Sequence, residues 1–325
     1  MKIERKKHTK GAGSLLRWTS KSIVSLNFMK KLCFTIIALC SSMLSAEVYD
    51  CFPFWKEFEV LKIRLEELYD EVDHFVIVEA TKTFTGLPKP LYFAENAHLY
   101  EKYKDKIIHV VVDDFPVEGN SEKDFWIREI YQHNAVIRGL AGCNPDDIIF
   151  LSDLDEIPRC TTMQNIKHYF ASKPSKKYRD QKKHKKTNDI KANMVTLDMP
   201  NFSCQLNRTA ETRWIGPAKA VPYWVLSVLS VDDIHLFHHK HSDLFVMQNA
   251  GWHFNTMGDW KAAIDKWLCH NVDFANSGII DEEALKKNYN DFLLRHKPIP
   301  VDESFPKLVR ENLSYYKSIG WIADY

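Results

Sequence analysis

The stretch DDIIFLSDLDEIP (146–158) joins a run of apolar residues to a group of acids. A short continuous apolar run of this kind is typical of a strand that is buried on both faces of a sheet. Asp153 and Asp155 follow the run, and Pro158 ends the extended segment. Because alternate residues of an extended chain share a face, the two carboxylates are expected to project to the same side. The stretch therefore predicts a buried strand that brings an acidic pair to one edge of a sheet.

The rest of the N-terminal half alternates strand-like apolar runs with helix-like periodicity. Further strands are predicted at 47–54, 74–80 and 106–114. Helices are predicted at 56–70, 94–104 and 121–143, the last with Ser121 as its N-cap. This alternation predicts an α/β domain with a mostly parallel sheet, whose ligands collect beyond the carboxyl ends of the strands. The acids expected at those ends are Glu79, Asp113, Asp114, Asp153 and Asp155.

The C-terminal half shows weaker periodicity. Strands are predicted at 194–199 and around Trp214 and Trp224, and a helix is predicted at 259–270. Pro200 is expected to interrupt a central strand, because its ring nitrogen cannot donate a hydrogen bond to the neighbouring strand. The strands of this half are therefore expected to extend the sheet with a less regular alternation of strands and helices than in the first half.

Charge is distributed unevenly along the chain. The 325 residues include 44 Lys and Arg against 43 Asp and Glu, with 45% hydrophobic residues, which excludes a disordered chain. Nine of the basic residues and one acid lie in 1–46, so the body at 47–325 holds 35 basic and 42 acidic residues. A mildly acidic body argues against a nucleic-acid-binding protein. The basic run at 173–191 is interpreted as an exposed loop, or alternatively as a contact for an anionic partner or membrane surface.

The N-terminal segment has the features of a targeting sequence. Residues 32–46 carry no charge and follow a basic stretch. They are shorter than the roughly 20 residues that span a bilayer, so we expect a signal peptide cleaved near Ala46. An uncleaved signal anchor and a buried helix are the alternatives. We therefore expect a protein that is exported or membrane-anchored, with a basic leader at 1–46 and a single domain at 47–325.

Several common site types are missing from the sequence. GxGxxG and GxxxxGK[ST] do not occur, so a bound phosphate would be held in another way, most simply through a metal. Five Cys lie in the body without a CxxC pair, which argues against a zinc ribbon or a redox motif. Most of these Cys are interpreted as buried free thiols.

The acidic pair at Asp153 and Asp155 predicts a metal site. Two carboxylates close together are hard oxygen ligands, which suit Mg²⁺ or Mn²⁺ bound together with substrate phosphates. Leaving two like charges side by side without a cation would be costly. An ordinary solvated acidic turn is the alternative interpretation.

Several blocks of this sequence resemble glycosyltransferase family 17, the family of the bisecting N-acetylglucosaminyltransferases and their bacterial relatives. Their order and spacing are those of the family. The matching blocks are 49–93, 106–114, 126–140, DDIIFLSDLDEIPR (146–159), RWIGPAK (213–219) and NAGWHFNTMG (249–258). Departures from the family pattern at His133 and in 197–206 leave the acceptor open.

The resemblance implies a GT-A-like, Rossmann-like fold and a nucleotide-sugar donor, UDP-GlcNAc, as partner. It implies metal-dependent, inverting transfer of N-acetylglucosamine to a mannose-containing or other glycan acceptor, with Asp153 and Asp155 as metal ligands. In a eukaryotic host the location would be the Golgi lumen; in a bacterial host it would be the membrane, the periplasm or the medium. The strand end at 79–83, including Glu79, Thr81 and Lys82, is expected to bind the nucleotide.

Several other residues could either belong to the site or have a purely structural role. His253 is a candidate third metal ligand, and Arg128 or Arg138 could contact a phosphate instead of pairing at the surface. Trp252 could stack on a sugar or belong to the core. The histidines at 235, 238, 239 and 241 resemble a metal-binding tract without zinc spacing.

Inverting transfer also requires a general base near the acceptor hydroxyl. Glu156, next to the acidic pair, and Asp259, after GWHF, are the candidates. Two other functions stay open: a non-catalytic carbohydrate-binding protein, and a different metal-dependent nucleotide-using transferase.

Overall fold

The structure is a computed structural model that describes residues 46–173, 187–270, 272 and 281–325. Glu47–Tyr325 forms one compact unit. The predicted apolar leader segment lies outside the described residues except for Ala46, so the expectations about cleavage, anchoring and membrane association stay predictions. Across the described ranges, no helix is long and apolar enough to cross a membrane.

A single sheet organises the described part of the chain. Its strands are β1 Val48–Pro53, β2 His74–Ala80, β3 Ile107–Val112, β4 Ile148–Leu151, β5 Glu156–Pro158, β6 Val195–Cys204, β7 Thr209–Pro222, β8 Phe245–Met247 and β9 Gly251–Met257. The strand order is β3-β2-β1-β4-β7-β6-β9-β5, with β8 also paired to β6. The first four strands are parallel, whereas β7 runs antiparallel to β4 and β6, and β5 runs antiparallel to β9. The sheet is therefore mixed, with more parallel than antiparallel pairs among these strands.

Helices connect and cover the strands. The α-helices are α1 Phe58–Leu68, α2 Tyr92–Asn96, α3 Glu122–Asn134, α4 Cys160–Ala171, α5 Thr187–Ala192, α6 Val231–His235, α7 Phe237–Lys240, α8 Trp260–His270, α9 Glu282–Arg295, α10 Lys307–Glu311 and α11 Leu313–Ser318. Short 3₁₀ helices lie at Ala97–Lys106, Ala135–Leu140 and Tyr223–Ser227. On β2, Phe75 and Ile77 face one apolar cluster while Val76 and Val78 face the other. The sheet is thus buried on both faces, as the α/β prediction requires.

Most predicted elements of the first half are confirmed. The strand at 74–80 and the helix within 56–70 are present, and Ser121 caps α3 in a reciprocal capping box with Asp124. The capping box satisfies two backbone N–H groups that the first helical turn leaves free. The expected helix at 94–104 is mostly 3₁₀, and the helix predicted to reach residue 143 changes to 3₁₀ after Asn134.

Three predictions about strands were wrong. The segment 146–158 is not one strand, because β4 ends at Leu151 and β5 pairs antiparallel with β9. Trp224 lies in a 3₁₀ helix. Pro200 does not end β6, which continues to Cys204 with shifts of register on both sides of the proline. These irregularities let the strand pass a residue that lacks an N–H.

The sheet is strongly curled, as the short link between Leu151 and Glu156 shows. In the strand order, β5 lies four places from β4. Four strand spacings in a flat sheet would be about 19 Å. Five residue steps reach at most about 18 Å when fully extended, and residues 154 and 155 form a turn. The sheet must therefore bend back on itself, which places the acidic pair between its middle and its last strand. The GT-A-like assignment stays a prediction.

Candidate active site

An open cleft of about 690 Å³, mouth included, lies where the acidic pair leaves the sheet. Its walls come from the β1–α1 and β2–α2 connections, from α3 and from α8. The lining residues are Pro53, Phe54, Trp55, Glu57, Lys82, Thr83, Phe84, Lys89, Glu129, Gln132, His133, Asp153, Leu154, Asp155, Lys266 and Cys269. The cleft thus lies beyond the carboxyl ends of β1, β2 and β4, where the sequence predicted a ligand site.

Arg64 of α1 holds the turn that carries the acidic pair. Its side chain is fully buried, and its guanidinium donates to both oxygens of Asp50, at 2.6 and 2.8 Å. It also donates to the carbonyl oxygens of Asp153, at 2.7 Å, and of Leu154, at 3.0 Å. A bidentate Arg–carboxylate pair has fixed geometry, so the turn is clamped to β1. Sequence reasoning missed both Arg64 and Asp50.

Asp155 is buried and bound to a lysine. The Lys266 ammonium lies 2.8 Å from one Asp155 oxygen and 3.3 Å from Glu57. Burial raises the pKa of Asp155, but the charges of Lys266 and His253 outweigh burial and hold the pKa below its usual value. Burial likewise lowers the pKa of Lys266, but the two facing carboxylates outweigh it and raise that pKa. Asp155 therefore stays ionised.

Asp153 is the more accessible acid, with 42% of its side chain exposed. The imidazole of His133 on α3 lies close to Asp153, with its Nε2 3.9 Å from Asp153 and its Nδ1 3.3 Å from Asp232. Burial lowers the pKa of His133, but the hydrogen bond with Asp232 and the charge of Asp153 outweigh it and raise that pKa. Asp153 thus lines the cleft with much of its side chain exposed.

His253 and Glu156 form the buried floor behind the acidic pair. His253 Nε2 lies 3.7 Å from Asp155, its ring stacks on Trp214, and its buried Nδ1 has no hydrogen-bond partner among the described residues. Glu156 accepts from the backbone N–H of Asp153 at 3.0 Å and from the Trp214 indole. Burial, followed by the charge of Asp153, raises the pKa of Glu156 to about 8.

Glu129 is a second acid with a raised pKa on the cleft wall. Burial raises the pKa of this carboxyl to about 7, and its Oε2 atom is buried without a hydrogen-bond partner in the described part of the chain. Gln132, one turn further along α3, donates to the carbonyl of Val78 at 3.2 Å. Nothing in the sequence distinguished Glu129 from an ordinary surface acid on an amphipathic helix.

The residues predicted to bind the nucleotide separate into two groups. Lys82 lines the cleft and pairs with Glu118. Glu79 is fully buried and accepts from the backbone N–H of Phe93 at 2.9 Å and from His109 at 3.1 Å. Glu79 therefore anchors the start of α2 and does not line the cleft.

Thr81 also lies outside the cleft lining, with its backbone N–H bound to the carbonyl of Val112. Arg128 is fully buried and donates to the carbonyls of Phe84 and Gly119. It supports the cleft wall from behind.

Arg138 and Trp252 have structural contacts. Arg138 pairs with Asp114 at the surface. Trp252 is buried, and its ring lies under the guanidinium of Arg159. Neither residue lines the cleft.

Asp259 lies beside a neighbouring cleft and caps α8, accepting from the backbone N–H of Lys261 at 3.0 Å.

Of the four histidines, His238 lies against the ammonium of the buried Lys219, at 3.3 Å. His235 packs on the ring of His133. The five body cysteines are free thiols, but the prediction that most of them are buried was wrong, because only Cys51 and Cys269 are buried.

The metal prediction depends on the side-chain atoms that this cleft offers as ligands. Within the described ranges there is no group of three or more His, Cys, Asp or Glu that could hold a metal ion. Asp153 and Asp155 are two hard oxygen donors at a cleft, which fits Mg²⁺ or Mn²⁺ bound by one or two carboxylates and completed by substrate phosphates. His253 faces Asp155 through Nε2, at 3.7 Å, and does not complete a three-residue group with the two acids. A cation held by protein atoms alone does not fit this arrangement.

Comparisons with known proteins bear on the same segment of the chain. Residues 27–174 match the model of Glycosyltransferase family 17, so the resemblance predicted from the sequence is confirmed there. The human β-1,4-mannosyl-glycoprotein 4-β-N-acetylglucosaminyltransferase is 36% identical over 108 residues, which are 31% of this chain and 20% of that protein. The rat protein of the same name shows the same figures, and the mouse protein is 35% identical over 108 residues. This chain therefore spans about a fifth of the length of the curated relatives it matches.

Proposed function

We propose that this chain is a glycosyltransferase that moves N-acetylglucosamine from UDP-GlcNAc to a glycan acceptor, with inversion to a β-linkage. The acidic pair at the open cleft, inside the segment that matches the family, carries the proposal. The relatives' name describes transfer of N-acetylglucosamine to a β-1,4-mannosyl glycoprotein. A mannose-containing glycan is therefore the first acceptor to test.

The proposal includes Mg²⁺ or Mn²⁺ bound by Asp153 and Asp155, with His253 as a further donor. When bound, the cation would neutralise the charge of the diphosphate leaving group. Arg64 fixes the turn that carries the acidic pair, whereas Lys266, which lies 2.8 Å from Asp155, would have to release that carboxylate before it binds the cation. Lys82, which lines the same cleft, could contact a phosphate oxygen after leaving Glu118.

The proposed reaction breaks one bond and forms one. The acceptor hydroxyl oxygen bonds to C1 of the sugar, the bond from C1 to the phosphate oxygen breaks, and UDP leaves with the electron pair. The hydroxyl proton passes to a carboxylate base. Glu156 has both carboxylate oxygens engaged in hydrogen bonds. Asp259 is therefore the better placed of the two predicted bases, since it faces a cleft.

The test is release of UDP from UDP-GlcNAc during titration with Mn²⁺ and Mg²⁺. Asp153→Ala is expected to lower turnover at saturating metal by at least a hundredfold while the thermal unfolding midpoint stays close to that of the wild type. The matched control is Asp113→Ala, which removes another exposed acid that follows a parallel strand but does not line the cleft. Turnover that needs no metal, or that survives Asp153→Ala, would show that the assignment is wrong.

A further inference from the structure

A second cleft lies next to the cleft of the acidic pair. It encloses about 1060 Å³, mouth included. Its walls come from the start of α1, from the end of β9, from α8 and from the segment after α11. The lining residues are Trp55, Lys56, Glu57, Phe58, Glu59, Val60, Thr256, Met257, Gly258, Asp259, Ala262, Asp265, Lys266, Ile319 and Trp321.

The two clefts share a wall. Trp55, Glu57 and Lys266 line both of them. The Lys266 ammonium bridges Asp155, at 2.8 Å, and Glu57, at 3.3 Å. The second cleft therefore begins about one side chain away from the acidic pair. In an inverting transfer the acceptor must approach the sugar from the side opposite the leaving phosphate, so a separate adjoining cleft has the required relation.

The charge of the second cleft argues against a nucleotide. Asp259, Asp265, Glu57 and Glu59 outnumber the two lysines that line it, and Lys56 is paired with Asp265. A diphosphate would be repelled by this excess of carboxylates. A neutral ligand rich in hydroxyl groups would be favoured, because carboxylates accept strong hydrogen bonds from O–H donors.

One of these acids lacks a partner for part of its carboxylate. Glu59 Oε1 accepts from the Tyr315 hydroxyl at 2.9 Å, but Oε2 is buried without a hydrogen bond to any described residue. A buried acceptor without a partner is costly. A small movement of this side chain toward a ligand hydroxyl would supply the missing bond.

Aromatic rings form the apolar part of the same walls. Trp55, Phe58 and Trp321 line the second cleft, and Trp321 is only partly buried. Flat rings with a few polar groups between them are typical of sites for small molecules, and rings match the C–H faces of sugars. Thr256 has a φ of +50°, an unfavourable conformation for a β-branched residue that is found mostly at functional sites.

We propose that the second cleft binds the acceptor as a neutral oligosaccharide, with Trp321 as a stacking surface and the carboxylates as hydroxyl acceptors. This inference rests on the proposed function, because it assigns the other substrate of the same reaction. The acceptor chain lies along α8 and reaches the donor cleft past Glu57.

The experiment measures binding of mannosyl-β-1,4-chitobiose to the full chain by titration calorimetry, with and without UDP. Trp321→Ala is expected to weaken the affinity for the saccharide at least tenfold, and Trp321→Phe, which keeps a ring, by less than threefold. Trp126→Ala, which removes an exposed tryptophan of α3 that does not line this cleft, is expected to match the wild type. Ala262→Leu places a larger side chain of α8 in the same cleft and should also weaken binding of the saccharide. If Trp321→Ala does not fold, the affinity of Ala262→Leu for the saccharide tests the proposal.

The outcomes separate the two proposals. Both proposals are supported if the wild type binds UDP and the saccharide, and if Trp321→Ala and Ala262→Leu weaken binding of the saccharide. Wild-type protein that binds UDP, and whose saccharide affinity is unchanged in Trp321→Ala and Ala262→Leu, overturns the acceptor site alone. Binding of UDP with no saccharide binding also overturns the acceptor site. Binding of neither ligand overturns the proposed function and the acceptor site with it.

Discussion

Replacing Arg64 by methionine removes the clamp on the acidic turn while it keeps most of the side chain's volume. The guanidinium and its partner Asp50 are both fully buried. Removing one member of a buried ion pair leaves the other charge uncompensated, which costs about 3–5 kcal/mol. The backbone carbonyls of Asp153, Leu154 and Glu156 lose their donor as well, at about 1–3 kcal/mol for each that stays buried.

We therefore expect Arg64→Met to lower the free energy of unfolding by at least about 4 kcal/mol. For a domain of this size that corresponds to a fall of roughly 10 °C in the unfolding midpoint. Urea denaturation followed by circular dichroism measures the change. Arg138→Met is the matched control, because it removes a bidentate arginine from an exposed pair with Asp114 and should cost less than about 1 kcal/mol.

The double variant Asp50→Leu with Arg64→Met separates charge from support of the turn. Removing both charges should recover part of the stability, since a buried ion pair can often be replaced by apolar residues at little cost. Release of UDP from UDP-GlcNAc should not recover, because the carbonyls of the turn still lack their donor. An Arg64→Met variant as stable as the control, or a double variant with full turnover, would refute this account of the turn.

Two further predictions concern the cleft wall and the backbone. Because the pKa of Glu129 is raised to about 7 in the folded state, the wild type should lose stability as the pH rises from about 4.5 to 7, and Glu129→Gln should remove that slope in pH-dependent urea denaturation; an unchanged slope would contradict the raised pKa. Gly216→Ala should destabilise the fold by more than about 1 kcal/mol, because Gly216 has a φ of +125° and a Cβ there would lie 2.4 Å from His238. Gly142→Ala, where a Cβ meets no atom within 4 Å, is the control and should be neutral in thermal unfolding; equal effects of the two substitutions would contradict the steric argument.

The parts of the fold that follow from local sequence were predictable. The run at 74–80 is apolar throughout because β2 is covered on both faces, and this pattern needs no knowledge of partners. The division of 146–158 into two strands was not predictable, because β5 is defined by pairing with β9, almost a hundred residues later. Pairing at that separation leaves no periodic signal in either segment.

In the candidate site, too, residues with a local sequence signal could be predicted, whereas residues defined by distant contacts could not. Asp153 and Asp155 stand out because acids directly follow an apolar strand. Lys266 resembles an ordinary charged residue on an amphipathic helix, and its role depends on Asp155, 111 positions away. Arg64 had one local signal that could have found it, since it lies on the face of α1 that also carries Leu61 and Leu68. A charge on an apolar stripe must have a buried partner, and Asp50 is that partner.

The long-range pairing of the curled sheet also bears on how the chain is made. During synthesis from the N-terminus, β1, β2, β3 and β4 emerge first. β4 obtains its second neighbour only when β7 emerges. β5 obtains its single neighbour only when β9, Gly251–Met257, emerges. Until then an apolar strand of the central sheet has an open edge, which is a template for pairing with other chains. The segment 27–174, which carries the family match, is therefore not expected to fold alone. We expect the edge of β4 to stay open to such pairing until β7 has left the ribosome.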